Sequence, residues 1–207
     1  MAALRPARKA RDAGRDLRLR FAQQHNLRIV AGMNLKFPAL VLSIALAPAA
    51  LADVTVTLKD VHICCNSCVK AIDKATATVS GATAVSDKDD ETVTLTAPDK
   101  ATVQKAVDAL VAAGYFGVSS DPTIKVDAPS GAPDGKVQSL AVSGVHLCCK
   151  TCVKDLNEAL AKVPGVKANT AEKGTTTFEI TGEDFSARDV FTALHNAGFA
   201  GKAGNTP

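Results

Sequence analysis

The sequence predicts an α+β protein built from two successive copies of a βαββαβ unit, and three observations support this. A seven-residue segment with one histidine and three cysteines begins at His62 and returns 84 positions later at His146. The same offset relates the segments 113–117 and 197–201, which both begin with Ala-Gly and an aromatic residue. Strand-like and helix-like hydrophobic periodicities follow the same order in both copies. An offset that is kept along a whole unit indicates duplication of a domain.

Each copy opens with a strand, a cysteine-containing loop and a helix. Residues 54–61 alternate between apolar and polar side chains, as do residues 137–145, which predicts a strand at the start of each copy. The helix after the loop is clearer in the second copy, where a Pro-Gly pair at 164–165 ends it. The residues at helical spacing along the helix after the loop are Val69, Ile72, Thr76 and Val79 in the first copy and Val153, Leu156, Leu160 and Val163 in the second.

Two further strands, a second helix and a short last strand complete each copy. The second helix is expected after Pro98-Asp99 in the first copy and after Asp184 in the second. Gly114 and Gly198 lie where these helices would be capped. The order is the ferredoxin-like arrangement, a four-stranded antiparallel sheet with two helices on one face. The remaining predicted strands are 82–86, 92–97 and 116–119, and then 166–170, 175–181 and 200–203.

The composition between the copies marks a linker. Residues 127–136 are rich in proline, glycine and aspartate and have no apolar periodicity, so we expect a flexible connection. The two domains are therefore predicted at 53–126 and 137–207. Each has roughly 65–75 residues, which is near the lower size limit for a domain that folds on its own core.

The sequence ahead of the first copy predicts export. An apolar run at 37–47 follows Lys36, and Ala50-Leu51-Ala52 supplies a small-x-small cleavage site, so residues 33–52 form a predicted signal peptide. We expect the protein in the periplasm or outside the cell, not spanning a membrane once the signal is removed; an uncleaved anchor is the alternative. Residues 1–32 are interpreted as a basic N-terminal extension, either a leader or a start assigned too early.

The charge distribution argues against nucleic acid as a partner. The whole chain has 24 basic and 21 acidic residues, a formal net charge of +3. Nine basic but only two acidic residues lie in 1–52, which leaves the rest of the chain with a net charge of −4. A mildly acidic exported protein gives no reason to expect nucleic-acid binding. No catalytic motif is evident in the sequence, so we expect a binding protein and not an enzyme.

The spacing of the cysteines poses the functional question. Cys65-x-x-Cys68 and Cys149-x-x-Cys152 have the spacing at which two thiolates converge on one soft metal ion, or form a disulfide. The second cysteine of each pair lies in the first turn of a predicted helix, whose dipole favours the thiolate. Two ligands on an exposed loop leave an open side for a partner's thiols, which favours handing metal on. A structural disulfide and buried structural thiols are the alternatives.

The other cysteine and the histidine of each loop are additional candidate ligands. Cys64 is adjacent to Cys65, so the two side chains cannot both point at one centre without distorting the backbone. We therefore expect Cys64, and equally Cys148, to point aside while the CxxC pair chelates. A looser loop would instead let His62 and His146 join their neighbouring cysteines in a Cys3His set of the kind known for structural zinc.

Three aromatic or imidazole side chains outside the loops are expected to have structural roles. Tyr115 and Phe199 follow a glycine near the end of each copy, and we expect them to belong to the core and to shield the loops from water. His195 has Val111 as its counterpart in the first copy, so we expect no functional role for it.

Residues 53–125 and 137–204 each resemble the heavy-metal-associated domain, because a Cys-x-x-Cys-Val-Lys segment follows a strand and Ala-Gly-aromatic lies near the end. That family includes small copper chaperones, modules of metal-pumping P-type ATPases and the periplasmic mercury-binding protein. The resemblance implies a soft metal, Cu(I) first and Zn(II) or Hg(II) behind it. It also implies a metal-transporting membrane protein or another thiol-bearing acceptor as partner. The ligands carried over by the resemblance are Cys65, Cys68, Cys149 and Cys152.

The loops depart from the family pattern, which usually reads Gly-Met-x-Cys-x-x-Cys. The departures are His62, Cys64, His146 and Cys148. The hypothesis is an exported protein with two metal sites joined by a short linker, which binds and transfers or sequesters a soft metal ion. The alternatives are a thiol–disulfide redox module and a domain pair with purely structural zinc, which would unfold on chelation.

Overall fold

The structure, a computed structural model, describes residues 52–204, which belong to one compact unit. The predicted basic extension at 1–32 and the apolar run of the predicted signal peptide at 37–47 lie outside the described residues. Within 52–204, no helix is both long enough and apolar enough to cross a bilayer.

Both copies contain four strands and two helices. In the first copy these are β1 (Val54–Lys59), α1 (Asn66–Thr76), β2 (Thr83–Asp87), β3 (Thr92–Ala97), α2 (Lys100–Ala112) and β4 (Val118–Ser119). In the second copy they are β5 (Lys136–Ser143), α3 (Lys150–Leu160), β6 (Val166–Asn169), β7 (Thr177–Ser186), α4 (Ala187–Asn196) and β8 (Lys202–Ala203). The sheets are antiparallel, with strand orders β2-β3-β1-β4 and β6-β7-β5-β8. This α+β fold is consistent with two ferredoxin-like domains.

The first strand of each copy lies inside its sheet and anchors the core. Val56 in β1 is the register partner of Leu95 in β3, and both side chains are buried. Leu140 in β5 is likewise the partner of Ile180 in β7. Because side chains alternate across a strand, the buried residues of β1 and β5 share one face of each sheet, and the polar residues share the other.

The helix after each loop directs a cysteine into the core. Cys68, Ile72 and Thr76 are the buried residues of α1, and Cys152, Leu156 and Leu160 have the same spacing in α3. Residues four apart lie on one face of a helix. The stripe therefore begins at the second cysteine of each loop, one residue earlier than the sequence predicted. The valines that follow these cysteines are only half-buried.

The strand before each loop ends two residues earlier than predicted, and the reason is the same in both copies. Asp60 follows β1 with a φ of 57°, and Gly144 follows β5 with a φ of 79°. A left-handed residue interrupts the extended backbone and turns the chain. Since the two residues are 84 positions apart, the turn that aims the cysteine loop is part of the repeat.

The two copies pair through their Ala-Gly-aromatic segments. Tyr115 and Phe199 form an antiparallel bridge. The amide that follows each aromatic residue donates to the glycine carbonyl of the other copy at 3.0 Å, Phe116 to Gly198 and Ala200 to Gly114. Because equivalent residues exchange equivalent bonds, an approximate two-fold axis relates the copies at this contact.

Gly114 and Gly198 combine two functions at this contact. They follow α2 and α4 with φ values of 92° and 78°, as expected for glycines that cap helices. A Cβ atom on Gly114 would also lie 2.5 Å from the amide nitrogen of His146 and 2.6 Å from the carbonyl oxygen of Gly144. The absence of a side chain thus lets the end of one copy approach the loop of the other.

The chain between the copies forms no helix or strand from Ser120 to Gly135. Its Ser130 carbonyl accepts a hydrogen bond of 2.6 Å from the Ala203 amide, next to the last strand of the second copy. An exposed ion pair joins Asp134 to Arg188 at 2.7 Å. Pairs as exposed as this one contribute little stability, so the backbone bond is the firmer of the two contacts.

We predict that Gly114→Ala lowers the free energy of unfolding by more than Gly174→Ala does. Both glycines have a left-handed φ, 92° and 87°, which costs an alanine about 1–2 kcal/mol. Only at Gly114 would the new methyl group also meet backbone atoms of the other copy, since nothing lies within 4 Å at Gly174. Urea unfolding of the two variants measures the difference. Equal losses would mean that the close approach between the copies contributes nothing.

Candidate metal centre

The cysteines of each loop are positioned by the start of a helix. Cys65 and Cys149 are the N-cap residues of α1 and α3, with extended backbone, and neither side chain makes a capping hydrogen bond. The Cys65 carbonyl accepts from the Cys68 amide at 3.0 Å, which closes the first turn. The sulfur atoms are thus left for other contacts, next to backbone amides that favour negative charge.

All six sulfur atoms converge between the two copies. Within the CxxC pairs, the Sγ–Sγ distance is 3.8 Å for Cys65 and Cys68 and 3.5 Å for Cys149 and Cys152. The shortest distance of the cluster, 3.2 Å, joins Cys64 of the first copy to Cys149 of the second. The expectation of two separate sites, each open to solvent on its own loop, is therefore wrong for this structure. The repeat offset carried no information on how the copies sit against each other.

Cys64 and Cys148 do not point aside, which corrects the second expectation about the loops. The sulfur of Cys64 lies 3.2 Å from Cys149 and 3.4 Å from Cys152. Adjacent side chains do diverge, as the sequence suggested. Their divergence directs Cys65 to its own helix partner and Cys64 to the CxxC pair of the other copy.

The result is two mixed sulfur triangles related by the approximate two-fold axis. One contains Cys149, Cys152 and Cys64, with edges of 3.2, 3.4 and 3.5 Å. The other contains Cys65, Cys68 and Cys148, with edges of 3.5, 3.6 and 3.8 Å. Each triangle takes a CxxC pair from one copy and the first cysteine from the other.

The size of these triangles fits a metal bound by thiolates. Sulfur atoms about 2.3 Å from a metal are about 4.0 Å apart in a planar trigonal site and about 3.8 Å apart in a tetrahedral one. The observed edges of 3.2 to 3.8 Å need to expand by less than about 1 Å to reach these values. In 52–204, four overlapping groups of three side chains could hold a metal ion, and the ligand atoms of each group lie within 4.8 Å of one another. One of these ligand atoms belongs to His62, and all the others are cysteine sulfur atoms.

His62 is brought to the cluster, and His146 is held nearby. His62 is 6% exposed, and it forms a group with Cys64 and Cys152 in which the ligand atoms lie within 4.8 Å of one another. Its Nδ1 lies 3.9 Å from a carboxylate oxygen of Asp155, and its Nε2 is buried without a hydrogen-bond partner. His146 also has a buried Nε2 without a partner, but it belongs to none of these groups. The side chain of His146 nevertheless contacts the cluster, because its hydrogen bond to Cys68, after the larger one from the Cys152 thiol, helps to lower the pKa of Cys68.

Aromatic rings from the opposite copy cover both histidines. The ring of Phe199 lies 4.3 Å from that of His62, and the ring of Tyr115 lies 4.8 Å from that of His146. Tyr115 is buried, and its hydroxyl donates to the carbonyl of Cys68 at 3.1 Å. Both aromatic residues belong to the core as expected, and each also contacts the loop of the other copy, which the sequence did not predict.

Hydrogen bonds among the thiols divide the cluster into groups that ionise readily and groups that do not. A hydrogen bond from the Cys152 thiol is the main cause that lowers the pKa of Cys68, and donating it raises the pKa of Cys152. Burial raises the pKa of Cys64, and it raises that of Cys148 to about 12. The metal-free cluster thus retains protons that a bound metal would displace.

The pKa values of Cys149 and His62 are both lowered, which favours the forms of these side chains that bind a metal. Burial opposes ionisation of Cys149, but hydrogen bonds from the Cys152 amide and from the thiols of Cys64 and Cys152 bring its pKa down to about 6. Burial lowers the pKa of His62, with partial opposition from the charges of Cys68 and Asp155. The imidazole is therefore neutral at pH 7, which is the form that binds metals.

Asp155 is a residue near this contact that the sequence did not indicate, and His195, for which no functional role was expected, also contributes to the contact. Asp155 lies on the exposed side of α3 in the sequence pattern, and only the pairing of the copies brings it to His62. His195 stacks on Phe116 of the first copy, with ring centres 4.1 Å apart and planes 6° apart. Their counterparts by the 84-residue offset are Ala71 and Val111. This absence of matching partners was the available signal that the two sides of the contact differ.

Comparison with known proteins gives little beyond this geometry. No protein-family model matches the chain, and no curated protein matches it. Among solved structures, the chain is similar to the N-terminal soluble domains of Bacillus subtilis CopA, with 16% sequence identity and a TM-score of 0.28. The match covers 74% of this chain and 95% of that one. At this TM-score the similarity carries no weight, and the proposals below rest on the cysteine cluster.

We predict that Cys149 is the first of the half-buried cysteines to be alkylated in the reduced, metal-free protein. Thiolates react and thiols do not, so its modification rate should rise as the pH passes through about 6. Cys148 is its neighbour with the same partial exposure, and its raised pKa should keep it largely unmodified at pH 7. Peptide mapping after brief iodoacetamide treatment between pH 5 and 9 measures both rates. Equal rates at the two sites would contradict the hydrogen-bonding pattern of the cluster.

Proposed function

We propose that this chain is an exported metal-binding protein that holds a soft metal ion, Cu(I) first, in a cysteine cluster shared by its two copies. Its role in this proposal is to sequester the ion or pass it to a thiol-bearing acceptor, and not to catalyse a reaction. Zn(II) and Hg(II) are the next candidates. Support for export comes from the signal-peptide pattern at 33–52.

The observation that carries the proposal is the composition of the sulfur triangles. Each CxxC pair has the first cysteine of the other copy within 3.6 Å of at least one of its sulfur atoms. Three thiolates at this spacing are a ligand set for soft, thiophilic ions. Structural packing alone gives no reason for six thiols to meet at the contact of two duplicated units.

The choice of metal follows from ligand softness and charge. Thiolates select Cu(I), and a monovalent ion accepts low coordination numbers that a sulfur triangle provides. Zn(II) prefers four ligands. For one triangle the fourth donor would be His62, whose ligand atom lies within 4.8 Å of Cys64 and Cys152. For the triangle of Cys65, Cys68 and Cys148 the equivalent candidate is His146, whose side chain hydrogen-bonds to Cys68.

The burial of the sulfur atoms favours holding the ion over rapid exchange. Cys68 and Cys152 are fully buried, and the other four sulfur-bearing side chains are half-buried. An acceptor's thiols could reach the ion first through those four. Complete release would then require the mixed triangles to separate, since every triangle has sulfur atoms from both copies.

The proposal is tested by asking whether a cysteine in one copy supports metal binding in the other. The starting variant carries Cys65→Ala and Cys68→Ala, which removes the CxxC pair of the first copy. In this background we expect Cys64→Ser to weaken Cu(I) binding to the second copy by tenfold or more, about 1.4 kcal/mol. Anaerobic titration against a competing chelator measures the dissociation constant, and circular dichroism checks the fold.

Ser67→Ala in the same background is the matched control, because Ser67 is exposed in the first turn of α1, between Cys65 and Cys68, and has no place in the cluster. Unchanged affinity on removal of Cys64 would mean that each copy binds metal alone. If neither Cu(I) nor Zn(II) bound to the unaltered chain, and its thiols instead equilibrated reversibly with a glutathione buffer, the redox alternative would replace this proposal.

A further inference from the structure

We propose that the six cysteines hold one polynuclear Cu(I)–thiolate cluster of up to four ions, in which sulfur atoms bridge neighbouring ions. This inference rests on the proposed function and adds the number and arrangement of the ions. Two independent triangles would exhaust six sulfur atoms with two ions. The short distances between the two triangles indicate that more than two ions can be bound.

The two triangles are joined at distances similar to their own edges. Cys64 lies 3.7 Å from Cys68, and Cys148 lies 3.7 Å from Cys152. Together with the edges Cys64–Cys152 and Cys68–Cys148, of 3.4 and 3.5 Å, these contacts close a ring of four sulfur atoms, two adjacent ones from each copy. The remaining two sulfur atoms cap opposite edges of this ring.

The ring provides two further triangular faces. The sulfur atoms of Cys68, Cys148 and Cys152 all lie within 4.8 Å of one another, so the ring is crossed by a short diagonal between Cys68 and Cys152. That diagonal divides the ring into one face with Cys64 and another with Cys148. With the two mixed triangles, the cluster has four faces of three sulfur atoms. Every sulfur atom of the ring belongs to two or more faces. It would therefore have to bind two or more ions at once, which a thiolate can do because it can bridge metal ions.

Charge is compatible with four ions. Six thiolates with four Cu(I) ions carry only two negative charges, which limits the cost of placing charge in a largely buried site. Each added Cu(I) ion displaces thiol protons to solvent and remains Cu(I), so no electron is transferred. Because a bridging sulfur atom serves two ions, the first ions also fix the donors of the later ones, and loading should be cooperative.

The test is native mass spectrometry of the reduced full chain during anaerobic titration with Cu(I) buffered by a chelator. We expect binding to continue past two ions, with the four-ion form present while metal-free chain remains. X-ray absorption of the loaded protein should contain a copper–copper contribution. Saturation at two ions, filled statistically and without that contribution, would overturn the inference while leaving metal binding intact. Failure to bind any ion would instead overturn the proposed function.

A matched pair of double variants locates the bridging sulfur atoms. Cys64→Ser with Cys148→Ser leaves both CxxC pairs but removes two corners of the ring, so we expect saturation at no more than two ions. Ser67→Ala with Thr151→Ala changes exposed residues in the first turns of α1 and α3 and should retain the full number. A cysteine variant that still took up four ions would contradict the bridging role. The ion count of the unaltered chain decides the question even where a variant fails to fold.

Discussion

The backbone pairing of Tyr115 with Phe199 is the contact on which the arrangement of this molecule depends. Two hydrogen bonds of 3.0 Å and two glycines without side chains hold the copies close enough for their loops to meet. Neither loop offers more than three sulfur atoms by itself, and the mixed triangles exist only while this pairing persists. A main-chain contact near the end of each copy therefore determines which sulfur atoms meet in the cysteine loops near its start.

Most of the secondary structure was open to prediction because it follows local rules. Alternating strands, helical spacing and the caps at Gly114 and Gly198 depend on neighbours in the sequence, and the two sheets with their helices agree with that reading. The errors at the loops were small shifts. The left-handed residue Asp60 ends β1 early, and Cys68 itself starts the buried stripe of α1. Asp60 gave only a weak signal, since non-glycine residues rarely adopt this conformation, although aspartate does so more often than most. The stronger signal was its counterpart Gly144 in the second copy.

The shared centre could not be predicted from the sequence, for a physical reason. A repeat offset relates residues that occupy equivalent places, such as Cys64 and Cys148, but it does not say which residues meet across an approximate two-fold axis. Tyr115 meets its equivalent Phe199, whereas Cys64 meets Cys149, which is not its equivalent. Assigning a separate site to each CxxC pair was the direct reading of the repeat. The loop itself held the missing indication, because a third cysteine that cannot serve its own pair needs another partner.

Joining the copies through metal would also change the topology of the chain. Cys68 and Cys148 are 80 residues apart, and their sulfur atoms belong to one triangle. A permanent link that closes a loop of this length removes about 4.5 kcal/mol of chain entropy from the unfolded state. While an ion is bound, it would act as such a link. The two halves would then be held together for as long as the cluster is occupied. Loaded protein would then tolerate a break in the segment 127–135, whereas the empty protein would have only the interface between its copies to keep the halves together.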